Sequence, residues 1–369
     1  MVPQGSSQTL LSPAELSFLH SSLSSTPPIR PDLRTPTQFR PLVAETDILP
    51  STNGSARICF SDGTEAIVGI KAEVEKTPQA PHHAQHDSAD TDTNMEDDIE
   101  TKDTRSNTTT TSIHLDLSIE IPNFRDDDSL PIFLSSMLTE TLLSTPYLSQ
   151  KLHINARWHW KLYIDVLLLS PPLSYPLPLL SLTTHLALLN TALPRLKSDP
   201  GDDPLFDNDW AAAEPLYAKD EGGDGSRNRP PITLLVMTVN DNIVFDPSRE
   251  ELAVADAVLA VTVVSTSTST PQAQSPFQLL TMRTIDPPSR LTPPGVPDAT
   301  NPATAVGVAA MQGTGQKPAS ATAEAEKEVV WSPPRGGIKR ALVARIVKAV
   351  VEKGGVGEEV LEGLAAVET

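Results

Sequence analysis

The chain has one cysteine, Cys59, so no intramolecular disulfide can form and a reducing compartment is the expected setting. Cys59 sits in the middle of a predicted strand with no His close by in sequence. That favours a small sheet residue over a nucleophile. Long apolar runs are also missing. The leucine-rich stretch 162–193 is broken by Pro171, Pro172, Pro176 and Pro178, and nothing else approaches the roughly 20 apolar residues of a membrane-spanning helix. The opening MVPQGSSQTLLSP has neither a basic start nor an apolar centre, so no secretory leader is expected. These absences point to a soluble, intracellular protein. Hydrophobic residues are scarce, at 38%, while prolines number 35, so folded and unfolded parts are mixed in one chain of 369 residues.

The net charge of −19 argues superficially against a nucleic-acid partner, but its distribution changes that reading. Residues 87–103 hold eight acids and one Lys, and residues 199–224 hold nine acids and one Lys. The two segments carry −15 between them, leaving about −4 for everything else. Local basic faces therefore remain possible on the folded part.

The local patterns are those of strands followed by helices. Residues 11–24 read as a short helix with Ser12 as N-cap, Pro13 at its first position and Glu15 in its first turn. A hairpin is predicted at about 56–74, with a two-residue turn at Asp62-Gly63. Residues 76–111 are polar, acidic and Thr-rich and read as a disordered insertion, in which His82, His83 and His86 are solvated rather than metal ligands. Strict alternation over 113–121 predicts a half-buried strand, and 130–144 a helix. Residues 152–169 read as two strands joined around Ala156-Arg157, the second nearly all apolar and so central. A Leu-rich helix follows over 177–193, ended by Pro194. After the acidic segment 198–230 the pattern restarts. Strands are predicted at 232–239, 243–246, 257–264 and 277–283, then a disordered stretch at 286–334. An amphipathic helix at 336–353 is stopped by Gly354-Gly355.

Several segments resemble the RNase PH family, in its exosome-ring branch. They are Gly54–Glu73, Tyr163–Leu169, Asn190–Pro194 and Phe245–Glu251, in the family's order and spacing. A further match lies at 29–42, where the family carries an Arg-x-Asp-Gly-Arg loop and then an aromatic-Arg pair. Here Arg30, Asp32, Arg34, Phe39 and Arg40 take those places. Leu33 replaces the Gly and leaves the turn geometry open. The resemblance implies an α+β fold of the RNase PH (ribosomal protein S5 domain 2-like) type, two βαβα-like halves carrying disordered acidic and Pro-rich insertions. The expected layout is a helical extension at 1–28, a first half at 29–197 interrupted by 76–111, and an acidic linker at 198–230. A second half at 231–285, a disordered stretch at 286–334 and a C-terminal helix at 335–355 complete it.

That family includes phosphate-dependent 3′ exoribonucleases and relatives that lost the chemistry. Phosphorolysis brings two anions together, so it needs arginines, backbone N–H donors and an acid for the leaving oxygen. Active relatives open the helix after the central strand with a Gly-Gly-Thr-Arg-type turn. Here that stretch is Ser170-Pro171-Pro172-Leu173-Ser174-Tyr175-Pro176, with no Arg and with prolines that lack N–H groups. The phosphate site reads as lost. The acids Asp220, Glu221 and Asp224 read as part of a solvated loop, and Asp241 and Asp246 as turn formers, with Asp246 a candidate cap for the segment from Pro247. Archaeal relatives present basic residues on the helix near 137–145, whereas Met137–Ser144 here holds no Lys or Arg.

The expectation is a non-catalytic subunit of the RNA exosome ring, needing no cofactor and no metal; the alternative is an active phosphorolytic 3′ exoribonuclease. Arg34, Arg40, Arg57 and Arg157 are the RNA-binding candidates. Arg57 and Lys71 could also face Glu45 or Glu73 as ion pairs. Trp158 and Trp160, on one face of a strand, are interface candidates. The resemblance further implies other RNase PH-like ring subunits, S1/KH cap subunits and a hydrolytic nuclease as partners. It implies RNA in the central channel, no membrane, and a place in nucleus, nucleolus and cytoplasm.

Overall fold

The computed structural model describes residues 11–78, 114–199, 202–217, 228–265, 277–291, 330–334 and 337–367. Helix α1 (Pro13–Ser24) starts as expected. Ser12 and Glu15 close a capping box in which each side chain meets the other's backbone N–H.

The first sheet has the order β1-β2-β3-β5-β4, formed by β1 (Leu42–Thr46), β2 (Gly54–Phe60), β3 (Glu65–Lys76), β4 (Leu115–Glu120) and β5 (Trp158–Leu168). The β2–β3 hairpin is real, but its turn is not the two-residue one expected. Gly63 N–H donates to the Phe60 carbonyl and Phe60 N–H to the Thr64 carbonyl. Ser61 and Asp62 are therefore the central turn residues, and Gly63, at φ 84°, is the left-handed residue that follows them. This is the three-residue loop with a glycine bulge. Strand β4 runs parallel to β5, and its alternation buries Leu115, Leu117 and Ile119.

The β4–β5 crossover is made by α2 (Ser129–Leu143) and α3 (Pro146–Leu152). Helix α3 ends at Leu152, where the first of the two strands predicted within 152–169 would begin. Of that strand only a single bridge, His153 to His159, remains.

Helix α4 (Leu177–Leu189) is buried at all 13 positions. It lies against β2 and β3 of the first sheet and against β8 (Ile232–Val239) of the second, so it has no solvent face and needs no amphipathic pattern. Two of its hydroxyls are satisfied within the helix. Thr183 and Thr184 donate to the Leu179 and Leu180 carbonyls. It stops at Leu189 rather than 193, and Ala192–Leu193 becomes β6, paired with β7 (Glu214–Pro215).

The second sheet is antiparallel throughout, in the order β11-β10-β8-β9, from β8, β9 (Asn242–Phe245), β10 (Ala257–Ser265) and β11 (Phe277–Ile285). Strands β8 and β10 are buried at every residue. Both faces are covered. Ile232, Leu234 and Val236 join the main core with α4, whereas Leu235, Met237 and Val239 join Leu16 and Leu23 of α1 and Trp331. A one-turn helix, α5 (Arg249–Leu252), links β9 to β10. The C-terminal helix is α6 (Arg340–Val351), with Leu342, Ile346 and Val350 buried as the stripe predicts. A second helix, α7 (Val356–Ala365), follows it unforeseen.

The expected linker 198–230 needs the largest correction. Its residues 202–217 are folded on the core, with Leu216 and Tyr217 fully buried. The insertion histidines, the acids Asp220, Glu221 and Asp224, and most of 286–334 lie outside the described residues. Among the described residues no helix is long and apolar enough to cross a membrane.

Candidate functional site

The loop 29–41 runs across the end of the second sheet, and its arginines turn inward. Arg30 is 1% exposed. Its Nε and Nη2 meet the two Glu251 carboxylate oxygens at 2.7 and 2.8 Å. The remaining N–H groups reach the carbonyls of Phe245 (3.1 Å), Asp246 (3.0 Å), Thr35 and Gln38. Such a fork fits a carboxylate in two places at once and leaves no donor stranded. Glu251 is itself oriented by the capping box with Ser248, whose N–H it accepts at 2.7 Å.

Asp246 is the second hub. It is buried, at φ 46°. It accepts from Arg34 Nη1 at 2.9 Å, from Arg40 Nη2 at 2.7 Å, and from the Arg40 backbone N–H at 2.9 Å. The cap expected of it belongs instead to Ser248. Arg40 also reaches Asp62 at 2.5 Å and the Ser174 hydroxyl at 2.8 Å, and lies over the Phe60 ring at 4.5 Å. Burial works against its charge, yet Asp246 and Asp62 outweigh that and hold its pKa above the usual value. Asp62 is held below the carboxylate range: burial pushes it up, but the Thr64 hydroxyl and N–H and the Arg40 guanidinium prevail. Arg34 and Arg40, nominated for RNA, are thus tied to carboxylates of their own chain.

Leu33 sits in this loop at φ 63°, 86% exposed. The left-handed conformation that suits glycine is present with a leucine in it, and its side chain escapes into solvent.

The β5–α4 connection lies beside the Arg40 cluster. Ser170 accepts the Glu65 N–H at 3.1 Å, and Ser174 contacts Arg40. Below it is a recess whose eight lining residues, among them Phe60, Thr64, Pro172 and Tyr175, include no charged side chain. The Tyr175 hydroxyl is pushed up to about 12 by burial. This lining offers no cation of its own to a phosphate.

The other nominated residues are scattered. Arg57 ion-pairs with Glu65 and with Glu45 (3.3 Å) across β1, β2 and β3, and Lys71 with Glu73 (3.6 Å), as their strand positions suggest. Arg157 pairs with Asp203 at 3.5 Å. The Trp158 indole N–H donates to Asp203 at 3.1 Å, and Lys76 stands over its ring at 5.3 Å. Trp160 is buried against Phe206, ring centres 4.8 Å apart, so the chain's own 202–217 segment covers this interface candidate. On α2, Glu140 is ion-paired with Arg283 of β11. Among the described residues no group of three or more His, Cys, Asp or Glu side chains is placed to hold a metal.

Sequence reading missed Asp246 and Glu251 as ion-pair hubs. The signal was there in the Phe245–Glu251 segment, where Asp246 precedes a helix start and Glu250 and Glu251 follow it. Their arginine partners are more than 200 residues away in sequence.

Two sheets gripping one buried helix, with an arginine loop locked onto the second sheet, define an α+β protein whose halves are joined through their centre. Residues 38–194 match the family model described as 3′ exoribonuclease family, domain 1. The chain is 33% identical to the exosome complex component RRP42 of Saccharomyces cerevisiae over 252 residues, covering 68% of this chain and 80% of that one. It is 30% identical to the rrp42 component of Schizosaccharomyces pombe over 272 residues, covering 69% and 78%. A solved archaeal exosome core aligns with a TM-score of 0.46 and 19% identity over 73% of this chain and 84% of that one. The chain belongs to the RNase PH family, with RRP42-type exosome components among its relatives.

Proposed function

We propose that this chain is a non-catalytic structural subunit of the RNA exosome ring, supporting 3′-to-5′ RNA processing and degradation. Kinship with the yeast RRP42 components carries the ring assignment. The absence of phosphorolysis is supported by the 170–176 connection. A phosphate-binding turn there needs an arginine and free N–H groups, and the segment has two prolines in sequence and no arginine of its own. The nearest guanidinium, Arg40, is engaged by Asp246 and Asp62. In this reading the partners are other RNase PH-like subunits, with cap subunits, a hydrolytic nuclease and channel RNA in the assembled particle. The places of work are nucleus, nucleolus and cytoplasm.

Co-expression with a second RNase PH-like subunit tests the assignment. A stable heterodimer is expected, and a well-behaved monomer that binds no such partner refutes ring membership. Purified protein incubated with single-stranded RNA and phosphate should release no nucleoside diphosphate. Phosphate-dependent release would establish the enzyme instead.

A further inference from the structure

The segment 202–209 lies across the start of β5 as a strap, and what it covers is a set of rings and cations. Its Asp203 carboxylate meets both the Arg157 guanidinium (3.5 Å) and the Trp158 indole N–H (3.1 Å). Its Asp207 carboxylate meets Lys197 at 2.9 Å. Between these two anions the Phe206 ring lies on Trp160 at an interplanar angle of 44°. The strap is laid antiparallel to 195–197 by two backbone hydrogen bonds, Lys197 N–H to the Leu205 carbonyl and Asp207 N–H to the Arg195 carbonyl. Asn155 adds a hydrogen bond to the Asp202 carbonyl at 3.0 Å.

Anion, ring, anion is also how a single nucleic-acid strand presents itself to a protein. Proteins that hold such strands combine cations that follow the phosphates with aromatic faces on which bases stack. Trp158 and Trp160 supply two rings on one face of β5, and Lys76, Arg157 and Lys197 supply cations around them. Two of the strap's contacts to this surface are ion pairs whose cations are half exposed, the kind that salt and competition displace.

We propose that the 202–209 strap is an internal stand-in for single-stranded RNA, and that it masks an RNA-binding platform made by Trp158, Trp160, Arg157, Lys197 and Lys76. RNA is favoured over an acidic peptide partner because the surface sets two rings among three cations, the combination that takes stacked bases together with their phosphates. The proposal stands apart from ring membership. It concerns a face of the chain itself, and its failure would leave assembly with a partner subunit untouched.

The test uses the full-length chain and a fluorescein-labelled oligouridylate, read by fluorescence anisotropy at low salt. Releasing the strap with Asp203→Asn, Phe206→Ala and Asp207→Asn together should tighten binding about tenfold, the size of one base–aromatic stack. Adding Trp160→Ala to that variant should abolish the gain. If the triple variant does not keep the parent's circular dichroism, the double variant Asp203→Asn/Asp207→Asn retains Phe206 and should tighten binding roughly threefold, the scale of exposed ion pairs. Asp126→Asn/Asp127→Asn, on the β4–α2 loop, removes the same charge elsewhere. An equal gain there would show only a change in net charge and overturn the proposal. So would a folded, released variant that binds RNA no more tightly than the parent. Binding of a synthetic 202–210 peptide but not of RNA would assign the platform to a protein partner and equally overturn it.

Discussion

The arginine–carboxylate pairs of two regions in this molecule are different objects, and burial makes them so. In the junction at the end of the second sheet, Arg30 and Glu251 are fully buried and Asp246 is 1% exposed. In the strap over β5, the side chains of Arg157 and Asp203 are 52% and 75% exposed. A buried pair cannot be hydrated if its partner is removed, so each charge there depends on the other. An exposed pair loses little, because water replaces the lost contact. The junction therefore holds the 29–41 loop in one position against the second sheet. The strap's ionic contacts can exchange for others.

The sharpest way to break this contrast is to remove one charge from the junction. Arg30→Met should destabilise the protein by about 3–5 kcal/mol, because Glu251 is left buried and unpaired. Adding Glu251→Met should recover part of that loss, since no isolated charge then remains. Urea unfolding of the two variants measures both effects. A single-variant cost no larger than that of a strap substitution would show that burial does not separate the regions.

A second test uses acid at the buried helix that joins the two sheets. His185 of α4 donates from Nδ1 to the Pro230 carbonyl at 2.8 Å, and burial pushes its imidazole down to about 3. The unfolded chain takes up this proton below about pH 6.5, while the folded chain does not. Its contribution is therefore complete above about pH 6.5 and declines as the pH falls toward 3, by up to about 1.4 kcal/mol per pH unit. His185→Asn keeps a donor without titrating. Unfolding midpoints from pH 7 to 4.5 should fall less steeply in the variant, and parallel slopes would contradict the assignment.

The smallest effect belongs to the strap. Asp203→Asn removes an exposed pair and should cost no more than about 1 kcal/mol, with the difference shrinking at high salt. A cost of several kcal/mol, measured by the same urea series, would mean that the strap is as fixed as the junction.

Much of the fold is legible locally. The Ser12–Glu15 capping box, the β2–β3 hairpin, the alternation of β4 and the α6 stripe all follow from neighbours a few residues apart, where pattern and structure share one period. The misreadings have physical causes. The 152–155 segment looks like a strand, but it holds only the last residue of α3 and one bridge. The 202–217 segment was read from its acidic composition. That composition does describe its exposed aspartates, but it hides Phe206, Leu216 and Tyr217, which anchor it. Arg57 found Glu45 across the β1–β2 pairing and Lys71 found Glu73 on its own strand, because both neighbours lie close in sequence. Arg34 and Arg40 did not point where their charge suggested.

By itself the sequence determined the family, the α+β class and the absence of glycine and arginine from the β5–α4 connection, because each is written in contiguous residues. Only the tertiary structure decided which arginines are buried in ion pairs and which pair at the surface. Arg30 and Glu251 are 221 residues apart. Whether their charges stabilise, bind or merely sit in water depends on how much solvent reaches them, and that is settled only when the two sheets close around α4.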